Sequence, residues 1–372
     1  MSSRYEYKRR TVNKTSLAES LFVELIQVAL GNRKHLSCIP SEREWNGIYG
    51  KAMQQTLLGI TFEGIEKIPR EQWPPLELKY KWIGICNKIR QKNLVINKRC
   101  VELSHIFASQ GFHSCILKGQ GNAQMYPNPL YRTPGDIDIW VEGNRRRITE
   151  MVLKKFPNVK EQYHHIDFPI FKDVNVEIHY RPSWQIIPIY NRRIQKYYLS
   201  QRNVQCNHVC RNLDENGDVN TPTRDFNLIF QLSHIMSHFF SEGVGLRQFI
   251  DYYYLLKQDF TEIERKEYAD NLKRFGMKKF AASVMWLMRQ VLDLDERYLL
   301  VEPYRRGGEL LYEEIMATGN FGQYDNRFTK HCLGRITTTG SIIAKNLKLM
   351  STFPLEAFWS PIMLLLNVYR KK

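Results

Sequence analysis

Apolar residues recur at helical intervals from residue 15 to residue 110. The segment TSLAESLFVELIQVALGN opens with Ser16 and Glu19 at capping-box spacing, carries Leu17, Leu21, Phe22, Leu25 and Val28 at helical steps, and closes at Gly31. The next, PSEREWNGIYGKAMQQTLLGI, repeats the start signal with Pro40 before Ser41 and Glu44 three residues on, and predicts one more helix. A third, long helix is expected from Leu76 to Ser109, with Trp82, Ile85, Ile89, Val95, Ile96, Leu103 and Ile106 along one stripe.

The period then changes. Residues 113–119 (HSCILKG), 135–141 (GDIDIWV), 164–171 (HHIDFPIF) and 174–180 (VNVEIHY) are short, rich in β-branched residues and bounded by Gly, Pro, Asn or Asp, which predicts strands. GNRRRITEMVLKKF, between the second and third, reads as a helix. Lys172 and Asp173 mark a turn, so the last two strands form a hairpin. From Arg181 to Thr221 the chain is polar and basic. Helical patterning returns from Arg224 in DFNLIFQLSHIMSHFF, LRQFIDYYYLLK, IERKEYADNLKRFG and MKKFAASVMWLMRQVL, and in a tail helix. The expected class is α+β: a small mixed sheet with flanking helices at residues 96–185, between an N-terminal helical region (1–95) and a linker with a C-terminal helical region (186–372).

Composition narrows the partners. A net charge of +16 in 372 residues points to a polyanion: nucleic acid, a triphosphate or an anionic membrane surface. The seven cysteines are scattered, and no apolar stretch follows the polar start at signal-peptide distance, so a cytoplasmic protein is expected. No run approaches the roughly 18 apolar residues of a membrane span. The tail SPIMLLLNVYRKK reads as a terminal core helix, with peripheral membrane contact as the alternative.

The chemistry is concentrated in LYRTPGDIDIWVEG, residues 130–143. Side chains alternate along a strand, so Asp136 and Asp138 share one face while Ile137, Ile139 and Val141 take the other. Two carboxylates about 4 Å apart repel by roughly 4 kcal/mol at an effective dielectric of 20. Such a pair faces water, shares a proton or holds a cation, and all-oxygen ligands favour Mg²⁺ or Mn²⁺. Glu177 shares a face with Asn175 and His179 on a later strand, and it joins the aspartates if the two strands are neighbours. Two ions in such a cluster can clamp an in-line phosphoryl displacement.

ILKGQGN, YRTPGDIDIWV and VNVEIHYRPSW together resemble the uncharacterised nucleotidyltransferase family NTP_transf_5, a branch of the DNA polymerase β-like nucleotidyltransferase superfamily. The resemblance covers residues 96–185, with similar helical flanks on both sides. It implies a minimal nucleotidyltransferase core in which Asp136 and Asp138 hold metal and Glu177 is the third acid, near the acceptor hydroxyl. It further implies an NTP substrate, with the triphosphate bound through backbone amides at the Gly119 turn. This sequence departs from the superfamily's usual Gly-Ser there: Gly119 is followed by Gln120, Gly121 and Asn122. Lys118 and Arg132 are either compensating phosphate contacts, or surface charges or structural ion pairs. The acceptor stays open among RNA, a small hydroxylated molecule and a protein. A non-catalytic nucleotide-, nucleic-acid- or protein-binding module on a degenerate version of the fold is the rival reading.

Other groupings carry less. His234 and His238 stand at i and i+4 with Glu242 one turn on, a zinc-compatible spacing that core histidines or supports of the site would equally produce. CNHVC, residues 206–210, lacks a second Cys/His pair nearby. Arg247 and Asp251 are one turn apart and read as an intrahelical ion pair, or as residues framing the cleft. The arginine and tyrosine clusters around residues 145–147, 190–198 and 304–306 suit single-stranded RNA or a base, or are solvated helix faces.

Overall fold

A computed structural model of the chain describes residues 16–214, 217–324 and 334–369. Three helices open it: α1 (Leu17–Ala29), α2 (Glu42–Gln54) and α3 (Leu58–Lys67). At α1 the Ser16 side chain accepts from the Glu19 amide, and at α2 both halves of the Ser41/Glu44 capping box form. The single helix expected over residues 40–60 is broken in two. Thr56 takes a φ of 55°, and α3 turns so that Gly59 packs on the Tyr131 carbonyl, where an added Cβ would lie only 2.0 Å from the oxygen. The long helix α4 (Leu76–Ser109) then spans about 50 Å at 1.5 Å per residue.

The four predicted strands are present and shorter than expected: β1 (Ser114–Ile116), β2 (Ile137–Val141), β3 (His165–Asp167) and β4 (Val176–His179). They form one mixed sheet in the order β1-β2-β4-β3, with β2 and β4 parallel and both outer pairs antiparallel. Between them lie the short α5 (Gln120–Ala123) and α6 (Arg145–Lys155), the latter capped by Asn144. Parallel β2 and β4 require a crossover, which α6 and the β3–β4 hairpin supply.

The two faces of the sheet enter different cores. Ile137, Ile139 and Val141 pack with Ile116, Ile166, Ile178, Ile148 of α6 and Phe107 of α4. Trp140, one residue out of phase, enters the other core and stacks on Phe226 at 5.7 Å between ring centroids. Phe226 belongs to α8 (Arg224–Phe240), which therefore covers the face that carries Asp138.

The polar, basic stretch after Arg181 is more ordered than its composition suggests. It contains α7 (Pro188–Gln205), with Pro188 at its start, and an antiparallel hairpin of β5 (Val209–Asp214) and β6 (Gly217–Asn220). The helices expected after residue 224 form as α8, α9 (Leu246–Leu256), α10 (Glu262–Arg274) and α11 (Lys278–Gln290). Three more follow: α12 (Arg305–Thr318), α13 (Gly334–Leu349) and α14 (Pro354–Tyr369). The tail helix buries Ala357 and exposes Leu355, Phe358 and Leu366. Its basic end, residues 370–372, lies outside the described residues, as do residues 1–15. No described helix is long and apolar enough to cross a membrane.

Candidate active site

Register builds the acidic cluster. Residues paired across parallel strands point the same way, and Asp138 on β2 pairs with Glu177 on β4. Asp136, just before β2, joins them, and the three carboxylates offer ligand oxygens within 4.8 Å of one another. Asp136 is exposed, Glu177 half-buried and Asp138 only 4% exposed.

Two cations answer this negative charge. Lys118, at the end of β1, places Nζ 3.0 Å from Asp138 Oδ2. His179 places Nε2 2.8 Å from Asp138 Oδ1 and 3.4 Å from Glu177 Oε2. Burial works against the charge on His179, but hydrogen bonds to Asp138 and Glu177 overcome it and raise its pKa to about 9. Burial likewise opposes ionisation of Asp138, and the charge of Lys118 together with the His179 bond holds its carboxyl well below the usual range. Asp136 moves the other way, lifted chiefly by the charge of Asp138. Three carboxylates faced by two cations leave one negative charge in excess, so the donor set fits a hard divalent ion such as Mg²⁺ or Mn²⁺.

Lys118 is held in place by His234, whose Nε2 lies 3.2 Å from its Nζ. Burial and the Lys118 charge keep His234 neutral, well below its ordinary pKa, so it accepts from the ammonium. His238 stacks edge-on against His234 at 4.3 Å between centroids and lies 3.5 Å from Glu242. Neither histidine belongs to a metal-capable group among the described residues, and neither do Cys206 and Cys210.

Gly119 occupies the turn between β1 and α5 with φ 59° and ψ −105°, a conformation open to glycine alone, and an added Cβ would sit 3.6 Å from the Asp136 carbonyl. The turn thus lies against the acidic strand. Gln120, which follows Gly119, points away. Its Nε2 donates to Asn97 and Asn93 on α4.

The arginines differ from expectation. Of the readings open for Arg132, the ion pair is the one observed: Nε and Nη2 grip Asp251 at 2.8 and 2.7 Å, and both residues are buried. Tyr126 donates to the same carboxylate at 2.6 Å, and Asn122 adds a bond at 3.3 Å. This bidentate grip takes Asp251 away from Arg247, so the expected intrahelical pair does not form. Arg247 instead donates to the Thr133 carbonyl at 3.0 Å. Arg132 and Arg247 brace residues 130–135, the approach to Asp136, and touch no described part of the acidic cluster directly.

Sequence reasoning missed His164 and His165. The β3–β4 hairpin sets His165 opposite His179, and its Nδ1 lies 3.3 Å from Glu177 Oε2. The signal was available: His-x-Asp at 165–167 faces Glu-x-His at 177–179 across a hairpin that the turn residues predict.

The family model described as an uncharacterised nucleotidyltransferase matches residues 41–293, and the chain belongs to that family. Among solved structures, the chain is similar to an antigenic nucleotidyltransferase-like protein from Paracoccidioides brasiliensis at 13% identity and a TM-score of 0.35, over 57% of this chain and 96% of that one. No curated protein matches the sequence.

Proposed function

We propose that this protein transfers a nucleoside monophosphate from an NTP to a hydroxyl acceptor and releases pyrophosphate, using Mg²⁺ or Mn²⁺ held by Asp136, Asp138 and Glu177. The observation that carries the reading is the pairing of Asp138 with Glu177 across parallel strands, with Asp136 beside them. Bound metal would neutralise the phosphate and acidify the acceptor hydroxyl. Asp136 and Asp138 orient the α-phosphate side. Glu177, open to solvent along one edge, orients the acceptor oxygen as its bond to phosphorus forms and the bond to the leaving pyrophosphate breaks. Lys118 offers positive charge to the triphosphate, and backbone amides at the Gly119 turn are the remaining phosphate contacts. His234 positions Lys118, while Arg132, Arg247 and Asp251 hold the segment that delivers Asp136.

RNA ends, a small hydroxylated molecule and a protein hydroxyl each fit this chemistry. Incubation with α-phosphate-labelled NTP and Mn²⁺, with RNA, small-molecule and protein fractions as separate acceptors, identifies the class by which fraction takes up label. Binding of a polyanionic acceptor falls steeply with salt, whereas a small neutral acceptor gives a flat response.

One observation favours a non-catalytic module instead. Gln120 is committed to α4 and Lys118 already pairs with Asp138, which reduces the phosphate contacts on offer. Thermal shift separates the two readings: a catalytic site gives a much larger Tm rise with NTP plus Mg²⁺ than with NTP alone, and a module gives equal rises.

A further inference from the structure

A second group of donors adjoins the acidic cluster and differs from it in chemistry. His165, Glu177 and His179 present ligand atoms within 4.8 Å of one another. Two imidazoles and a carboxylate suit a borderline transition-metal ion, whereas Mg²⁺ prefers oxygen alone. His165 Nδ1 and His179 Nε2 lie 3.3 and 3.4 Å from the same Glu177 oxygen. Ligand atoms around a tetrahedral ion with bonds of about 2.1 Å are roughly 3.4 Å apart, so both spacings suit an ion placed among the three.

The far sides of the rings give an independent indication. A metal-bound imidazole usually donates its other N–H to a carbonyl or carboxylate, which fixes the ring and its tautomer. His179 has its Nδ1 3.2 Å from the Arg181 carbonyl. His165 has its Nε2 3.7 Å from Asp167 Oδ1. His165 is 5% exposed, and that Nε2 has no hydrogen-bond partner within normal reach. Metal on Nδ1 would place the proton on Nε2, facing Asp167. Burying the Nε2 side of this ring without a hydrogen-bond partner costs free energy.

We propose that His165, Glu177 and His179 bind a zinc-class divalent ion, which takes the place of the His179 Nε2 proton and leaves a fourth position to water, and that Glu177 is shared between this ion and the group formed with Asp136 and Asp138. Binding of this ion does not depend on nucleotidyl transfer; Glu177 and the contact of His179 with Asp138 link the two groups.

The test uses the full chain stripped of metal by a chelator and titrated with Co²⁺ in a large excess of Mg²⁺, followed by visible absorption. The expected result is one Co²⁺ per chain with the strong absorption of a four-coordinate site, displaced by Zn²⁺ and untouched by Mg²⁺. His165→Ala lowers Co²⁺ affinity by at least ~10-fold. Asp136→Asn keeps it. Absence of Co²⁺ binding by the wild type, displacement by Mg²⁺, or unchanged binding by His165→Ala overturns the proposal. Circular dichroism checks the fold, and His165→Asn replaces the alanine variant if that one unfolds. Wild-type protein that binds Co²⁺ but transfers no label leaves this site standing and removes the enzymatic reading.

Discussion

Asp138 and Glu177 sit opposite each other where β2 and β4 run parallel, 39 positions apart in the chain and one register step in the sheet. Neighbouring strands are about 4.8 Å apart, so this pairing alone forces two carboxylates together. Like charges at that spacing persist in a folded protein only when something offsets them. Lys118 and His179 offset part of the repulsion, and a divalent ion is the natural remainder.

Removing Lys118 exposes that demand. Lys118→Met leaves Asp138 without its nearest ammonium, so the metal-free protein loses stability and gains more from added Mn²⁺ than the wild type does. Thermal shift with and without Mn²⁺ measures the difference. Equal metal-induced shifts in both proteins would show that Lys118 and metal do not answer the same charge.

Asp251→Asn tests the buried clamp on Arg132. Removing one partner of a buried ion pair strands the other, at a cost of about 3–5 kcal/mol. Denaturant unfolding should show that loss, whereas a change under about 1 kcal/mol would mark the pair as energetically neutral.

The same pair sets an acid limit. Burial raises the Asp251 pKa, but Arg132 outweighs it and the folded value falls below the ordinary 3.8. A depressed carboxylate gives stability that is fully present above the unfolded pKa and disappears as pH falls through the folded one. Stability of the wild type should therefore decline below about pH 4, with a shallower decline in Asp251→Asn. Parallel acid titrations followed by circular dichroism check the sign.

Gly119→Ala tests the turn. Space for a methyl exists, with ordinary contact at 3.6 Å, but the backbone angles do not suit an L-residue. The cost is about 1–3 kcal/mol, or the turn shifts away from Asp136. Either way NTP affinity should fall, and a variant with wild-type stability and NTP affinity would remove the turn from the account.

Local signals survived into the structure, and so did the expected convergence of Glu177 with the aspartates, whereas other long-range partnerships did not. Ser41 and Glu44 form the box that their spacing announces, and alternation puts Ile137, Ile139 and Val141 on the face opposite Asp138. Trp140, on the acidic side, could not be foreseen to enter a second core, because that core is completed by Phe226 from a distant helix. α7 was hidden by its arginines and lysines, although Ile194 and Tyr198 mark its buried stripe at i and i+4. The break at Thr56 precedes the close approach of Gly59 to Tyr131, a tertiary contact that helical spacing does not announce. Arg247 and Asp251 show the same limit: helical spacing permits their pairing, but Arg132, 119 residues from Asp251, offers the better geometry.

The most direct measurement is transfer of label from α-phosphate-labelled NTP in the presence of Mn²⁺ by the wild type beside Asp136→Asn/Asp138→Asn, with the fold of both checked by circular dichroism. Labelled acceptor is expected from the wild type and a loss of at least ~100-fold in the variant, since ligands to the metal matter more than their outer supports. Equal labelling by both proteins would contradict the assignment of the acidic cluster as the site of the reaction.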